Sequence, residues 1–173
     1  MKRRLSRVAL LMLVAGLVVL FGNALPAAAA PPTRETISFN APVVLPATAF
    51  CPFDVRLEPL SNNERLTTFS DQAGTVRFSI ITGGLKVRLT NLATGQSVDL
   101  NVSGPARFTP QPDGSLLITN LGASLVFFSP HGPEVPGLAL VHGRIVMALD
   151  AAGHLSLQTQ RGQIQDLCAL LAS

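Results

Sequence analysis

The chain of 173 residues contains no tryptophan and no tyrosine. Domains that bind sugars, single-stranded nucleic acids or proline-rich peptides commonly stack their ligands on exposed aromatic rings. Only phenylalanine is available for such stacking, and most of its nine copies fall within predicted strands. The composition therefore disfavours carbohydrate binding and other functions that depend on aromatic stacking.

A cluster of positive charge occurs only at the N-terminus. Four basic residues within the first seven positions precede an apolar stretch at 8–21, and alanines follow up to residue 30. This order is typical of a secretory signal peptide, residues 1–29, with cleavage expected after Ala29. An uncleaved membrane anchor is the alternative, although the apolar stretch is short for a span. We expect a secreted, extracellular protein with no membrane span in the mature chain.

The basic net charge of the whole chain disappears with this segment. The chain has 13 basic and 10 acidic residues, and four of the basic ones lie in the predicted signal peptide. The mature chain would carry nine basic and ten acidic residues, a net charge of −1, with the basic residues scattered singly. A nucleic-acid partner is therefore not expected.

Sequence motifs for catalysis are missing as well. There is no Gly-x-Ser-x-Gly, no phosphate-binding glycine loop and no His-Glu-x-x-His. The three histidines are His131, His142 and His154, and a hairpin around 150–153 would place the last two roughly 20 Å apart. No catalytic residue, cofactor or metal site is predicted. A small extracellular hydrolase that uses His131 or His142 remains an alternative.

The two cysteines, Cys51 and Cys168, are predicted to form a disulfide bond. An even number of cysteines in an exported protein most simply pairs, and the alternative is two free, buried thiols. The bond would join positions 117 residues apart. Two cysteines without nearby histidines do not form a zinc site.

The stretch from Thr75 to Val102 contains the strongest structural pattern. Apolar and polar residues alternate over Leu85–Thr90 and again over Ser97–Val102, and a period of two is typical of half-buried strands. Gly83-Gly84 would connect the first run, Thr75–Ile81, to the second in a tight hairpin. We expect a three-stranded antiparallel meander.

The remaining segments predict further strands and one helix. Residues 30–46 form an extended segment rich in proline and alanine, and residues 47–173 form a single disulfide-bridged domain. Turns are expected where aspartate is followed by glycine, at 71–74, 111–114 and 150–153, because both residues favour turn conformations. Gly162–Ala172 carries apolar residues at helical spacing, with Asp166 in the first turn of the predicted helix. The fold class is all-β, an antiparallel sandwich or a small barrel with one C-terminal helix.

Leu138–Leu149 is predicted to be a strand with two apolar faces near its end. Such a strand is buried on both sides, so it lies under the helix or lines a cavity. The face with Ile145, Met147 and Leu149 is our predicted pocket lining.

Several short motifs resemble a group of uncharacterised, small secreted bacterial proteins. Each motif is short, but the resemblance extends over most of the mature chain, and Asp54 stands where that group has a proline. The motifs are Cys51-Pro-Phe-Asp-Val55, Thr90-Asn-Leu-Ala-Thr-Gly-Gln-Ser-Val98, Gly143-Arg-Ile-Val146 with Asp150–Gly153, and Leu167-Cys-Ala-Leu-Leu171. The resemblance implies export and a bridged β-domain, and it implies no activity.

From the sequence we therefore expect a non-enzymatic binding or interaction domain that holds a small apolar ligand or a protein partner. A structural protein of the cell envelope is a further alternative.

Overall fold

A computed structural model of the protein describes residues 30–128 and 136–173. The predicted signal peptide, residues 1–29, lies outside the described residues, as does His131. The described residues form twelve strands and one helix, α1 (Leu167–Ala172). The strands are β1 (Thr33–Thr36), β2 (Val43–Leu45), β3 (Val55–Asn62), β4 (Arg65–Ser70), β5 (Val76–Thr82), β6 (Leu85–Asn91), β7 (Ser97–Asn101), β8 (Ala106–Pro110), β9 (Leu116–Leu121), β10 (Ser124–Phe127), β11 (Leu138–Leu149) and β12 (Leu155–Asp166).

The strands form two antiparallel sheets. The large sheet has the order β1-β4-β5-β8-β9-β11-β10, and β12 also pairs with β11. The small sheet has the order β2-β3-β6-β7. The protein is thus an open, sandwich-like all-β fold with a short C-terminal helix, which confirms the predicted fold class.

Three pairs of consecutive strands, β3–β4, β5–β6 and β7–β8, cross from one sheet to the other along a shared line. Strand β3 of the small sheet is followed after two residues by β4 of the large sheet, and β5 is followed in the same way by β6. Because β4 pairs with β5 while β3 pairs with β6, the four strands form one long hairpin that is folded across its middle. Strands β7 and β8 continue the pattern, since β7 pairs with β6 and β8 with β5. We call this line the bend; it passes through residues 63–64, 83–84 and 102–105, and residues 122–123 lie beside it, since the N–H of Gly104 donates to the carbonyl of Ala123.

The predicted hairpin at Gly83-Gly84 is wrong, because the chain crosses between the sheets there. Strand β5 pairs with β4 and β8 rather than with β6, so these glycines connect two sheets and not two adjacent strands. At Gly83 φ is +121°, and a Cβ there would lie 2.5 Å from the carbonyl oxygen of Asn63. The glycine is therefore required by the close approach of two backbones at the bend. The predicted pairing of the second and third runs is confirmed as β6 with β7.

Strand β8 was not predicted from the sequence. It lies between Pro105 and Pro110, and prolines normally indicate an edge or an interruption of a sheet. In the structure β8 is central, pairing with both β5 and β9. The prolines stand just before the strand and at its last position, where loss of a donor interrupts the ladder least.

The C-terminal helix is shorter than predicted. Strand β12 runs to Asp166, so Ile164 lies in a strand that pairs with Val141 and not on a helical stripe. Pairing with the long strand β11 outweighs the helical spacing of the local sequence. Asp166 is the N-cap residue of α1, and its side chain accepts a hydrogen bond from the backbone N–H of Ala169 (3.0 Å).

The disulfide bond between Cys51 and Cys168 is confirmed, with a Cα–Cα distance of 5.4 Å. It joins α1 to the segment before β3. Leu167 and Leu171 of the helix are fully buried against the inner face of the small sheet, where Val87 and Leu89 belong to the same core cluster. Among the described residues, no helix is long and apolar enough to span a bilayer.

Candidate functional site

A cavity of about 680 Å³ lies between the inner faces of the two sheets. Ligand pockets in proteins typically have volumes of 300–1,000 Å³ and mostly apolar walls with a few polar groups. The small sheet contributes Leu57, Leu85 and Val87, and the large sheet contributes most of the remaining wall. The wall of the large sheet includes Ile81, Ala106, Phe108, Ile118, Asn120, Ser124, Leu125, Val126, Phe127, Met147, Leu149 and Leu155. The cavity therefore results from the bend. The strands continue from one sheet into the other there, and the inner faces of the two sheets are turned towards each other.

The three residues predicted to line a pocket take two different positions. Met147 and Leu149 line the cavity. Ile145 has no exposed surface and packs in a core cluster with Val126 and Met147. All three point to the inner side of β11, because each is directly opposite an inner residue of β9.

Burial on both faces of β11 occurs at its beginning and not at its end. Residues 138–141 are all buried, whereas Val146 and Ala148 are only half-buried, so the expectation for the end of the strand is wrong. The beginning lies near α1, since Leu138 and Leu140 share a core cluster with the helix. The two predicted alternatives therefore apply to different halves of the strand: one half packs near the helix and the other lines the cavity.

Asn120 is a polar residue in the apolar wall. It lies on β9, and its register partners are Ala106 on one side and Ile145 on the other. Only 4% of Asn120 is exposed. The sequence did not identify this residue, because Leu116–Leu121 contains polar residues on both faces and only the register shows which of them points inwards.

Among the described residues of the wall, Glu64 is the charged one, and it lies at the bend. Its backbone N–H donates to Oδ1 of Asn62 (2.9 Å), and its carbonyl accepts a bond from the N–H of Ile37 (3.0 Å). Among the described residues, its carboxylate has no ion-pair partner. Partial burial without a neighbouring cation raises the pKa of Glu64 above its ordinary value.

Phe50 connects the cavity to the disulfide bond. It lies next to Cys51, lines the cavity, and its ring packs edge-to-face on Phe127 with 5.3 Å between centroids. Phe50 and Phe53 both pack against the core cluster that contains Cys51. This arrangement agrees with the usual role of phenylalanine in packing around a buried cystine.

The two histidines within the described residues lie outside the cavity. His142 is exposed in a shallow groove beside Gln160, Gln163 and Gln165 of β12. His154 is exposed, and its Nδ1 lies 3.3 Å from Oδ2 of Asp150. The described lining of the His142 groove includes no serine, cysteine or carboxylate that could act as a nucleophile beside this imidazole.

The aspartates of the predicted turns have structural roles. Oδ1 of Asp150 accepts bonds from the backbone N–H groups of Ala152 (2.9 Å) and His154 (2.8 Å), and Asp71 makes the equivalent bonds in its own turn. The bond from the His154 N–H is the main cause that lowers the pKa of Asp150. Within the described residues, no group of three or more histidines, cysteines or carboxylates could hold a metal ion.

Comparisons of the chain with protein-family models, with curated proteins and with solved structures found no match.

Proposed function

We propose that this protein is a secreted, non-enzymatic binding domain that holds a small apolar ligand in the cavity between its two sheets. The observation that carries the proposal is the cavity itself, about 680 Å³ in volume and walled mainly by leucine, isoleucine, valine, phenylalanine and methionine. Transfer of apolar surface from water into such an environment is favourable and needs no catalytic group.

Export is supported by the disulfide bond and by the signal-like N-terminus. Disulfide bonds persist in oxidising compartments and are rare in the cytosol. Protein recovered from the medium of the native host should begin at Ala30 and contain no free thiol. A chain recovered from the cytosol with both cysteines reduced would contradict this part of the proposal.

Ligand binding can be tested with the uncharged dye Nile red. We expect its fluorescence to increase on saturable binding to the folded protein, and the midpoint of thermal unfolding to rise with dye concentration, because a ligand that binds only the native state stabilises it.

The matched variants make the same change at two places. Ala106→Phe adds a ring in the cavity wall, whereas Ala93→Phe adds it in the exposed turn between β6 and β7. Ala106→Phe should abolish saturable dye binding while the protein retains cooperative unfolding, and Ala93→Phe should bind as the wild type does. Equal binding by both variants, or no binding by the wild type, would overturn the proposal.

A further inference from the structure

The side chain of Asn120 is buried in the cavity wall and has no hydrogen-bond partner among the described residues. Within residues 30–128 and 136–173, its amide forms no side-chain hydrogen bond. Every fully enclosed polar side-chain atom of the described residues has a partner, so the unpaired amide of Asn120 must be reached from the cavity. An asparagine amide offers two N–H donors and a carbonyl acceptor.

Buried polar groups that lack a partner are rare and call for an explanation. Asn120 stands between Ala106 and Ile145 in the register, and neither neighbouring side chain can form a hydrogen bond with it. An apolar residue at this position would satisfy the packing of the sheet. The amide is therefore suited to a hydrogen-bonding group that enters the cavity.

The charge of the cavity limits what this group can be. Leu66, Ile81, Ala106 and Asn120 are register partners across four adjacent strands. Neighbouring strands lie about 4.8 Å apart, so Glu64, just before the first of these strands, is on the order of 14 Å from Asn120. No basic residue lines the cavity among the described residues. The carboxylate of Glu64 would therefore repel an anionic group bound at Asn120, with no cation in the wall to compensate.

We infer that the ligand is an amphipathic molecule whose uncharged, hydrogen-bonding end group, a hydroxyl or a primary amide, binds the side chain of Asn120, and that Glu64 disfavours the corresponding carboxylate. The inference rests on the proposed function, because it concerns the ligand of the same cavity. Asn120 supplies both a donor and an acceptor for the end group, and the apolar walls contact the rest of the molecule.

The test is displacement of Nile red at about pH 7 by three probes built on an unbranched chain of ten carbons: decanol, decyl methyl ether and decanoate. Decanol should bind about fivefold more tightly than decanoate, because of the charge at Glu64. It should also bind about threefold more tightly than the ether, which has lost the O–H donor, since a hydrogen bond between uncharged groups contributes a factor of this order.

Two variants assign these preferences to residues. Asn120→Leu should weaken decanol binding about three- to tenfold and leave Nile red binding unchanged. Glu64→Gln should strengthen decanoate binding several-fold and leave decanol binding unchanged. Asn40→Leu and Glu35→Gln, both at exposed positions that do not line the cavity, are the matched controls and should bind all probes as the wild type does.

The outcomes separate the inference from the proposed function. Equal binding of decanol, the ether and decanoate to a protein that binds Nile red would overturn the inference and leave the function intact. Tighter binding of decanoate would do the same. If the Asn120→Leu protein does not fold, the comparison of decanol with its ether in the wild-type protein still tests whether the ligand donates a hydrogen bond. Failure of the wild type to bind Nile red and any alkyl probe would overturn both.

Discussion

The side chain of Asn91 donates a hydrogen bond of 3.0 Å from its Nδ2 to the carbonyl oxygen of Leu171, 80 residues further along the chain. Its Oδ1 accepts a second bond from the N–H of Ala93 (2.9 Å), and only 2% of the residue is exposed. One side chain thus fixes the end of α1 to the turn between β6 and β7. A helix as short as α1 leaves most of its terminal carbonyls without intrahelical partners, so the donor from Asn91 stabilises the C-terminal end of the helix.

Replacement of this asparagine should destabilise the domain. We expect Asn91→Ala to lower the free energy of unfolding by about 1–3 kcal/mol, because it leaves a buried carbonyl and a turn N–H without their partners. Urea denaturation followed by circular dichroism measures the effect. Asn40→Ala, at an exposed position, should change the stability by less than about 0.5 kcal/mol, and an equal loss in the two variants would contradict the assigned role of Asn91.

The disulfide bond should contribute more to stability than any single hydrogen bond. The bond closes a loop of 117 residues, and on the chain-entropy model a loop of this size stabilises by about 4–5 kcal/mol. The double variant Cys51→Ala/Cys168→Ala should lose stability of this order in urea denaturation. Wild-type protein treated with a reductant is the control and should unfold at the same urea concentration as the variant. A double variant as stable as the oxidised protein would show that the bond contributes nothing to the stability.

The bend should be sensitive to a single added methyl group. Gly104 lies where two backbones meet: its N–H donates to the carbonyl of Ala123 (2.6 Å), and a Cβ on Gly122 would lie 2.8 Å from the Cα of Gly104. A methyl group at Gly104 would collide with the backbone of Ala123. We expect Gly104→Ala to cost about 1–3 kcal/mol or more, measured by thermal unfolding.

Gly84→Ala is the matched control for this prediction, because it makes the same change at another position of the bend. Its nearest neighbour would be Oδ1 of the Asn63 side chain at 3.1 Å, which accepts a hydrogen bond from the Gly84 N–H but is not part of the backbone, so the loss should be about 1 kcal/mol and smaller than at Gly104. Similar losses in both variants would indicate that close backbone contact at Gly104 does not limit the bend.

The carboxylate of Glu64 should make stability depend on pH in the direction opposite to that of a salt-bridged acid. Burial raises its pKa in the native state, so the native state binds more protons than the unfolded chain between the unfolded value of about 4.5 and the raised native value. Its contribution to stability therefore falls as pH increases through this window, and is restored as pH decreases below it.

Glu64→Gln removes this titration. Relative to the wild type, the variant should be more stable at about pH 7, and the difference should disappear at about pH 3, where the wild-type carboxyl is protonated in both states. Urea midpoints at the two pH values measure it, and Glu35→Gln controls for the change in net charge. A Glu64→Gln protein that is less stable than the wild type at pH 7 would show that the carboxylate has a favourable partner.

The strands were predictable where the pattern was local. Alternation over Leu85–Thr90 and Ser97–Val102 identified β6 and β7, and the Asp-x-x-Gly turn at 150–153 placed the hairpin of β11 and β12. The bend was not predictable, because two glycines between two strands are compatible both with a hairpin and with a strand that crosses to another sheet. The distinction depends on pairing with β4 and β8, which are distant in sequence.

The residues of the candidate site also differ in whether the sequence predicted them. Met147 and Leu149 were identified from a strand with more apolar residues than one buried face requires. Asn120 and Glu64 were not, because a polar residue in a strand is normally on the outer face, and only the register of β9 and the position of the bend place these two at the cavity. The residues that would select a ligand are thus those for which the sequence pattern provides the least evidence.

The covalent loop between Cys51 and Cys168 encloses all but the ends of the folded domain. A protease that cuts once anywhere inside it produces two fragments that remain joined through sulfur and held together by their shared sheets. On a gel without reductant such nicked protein would migrate with an unchanged mass, and only reduction would reveal two bands. In the secreted protein that we propose, this bond would keep the two halves together after a single cut by an extracellular protease.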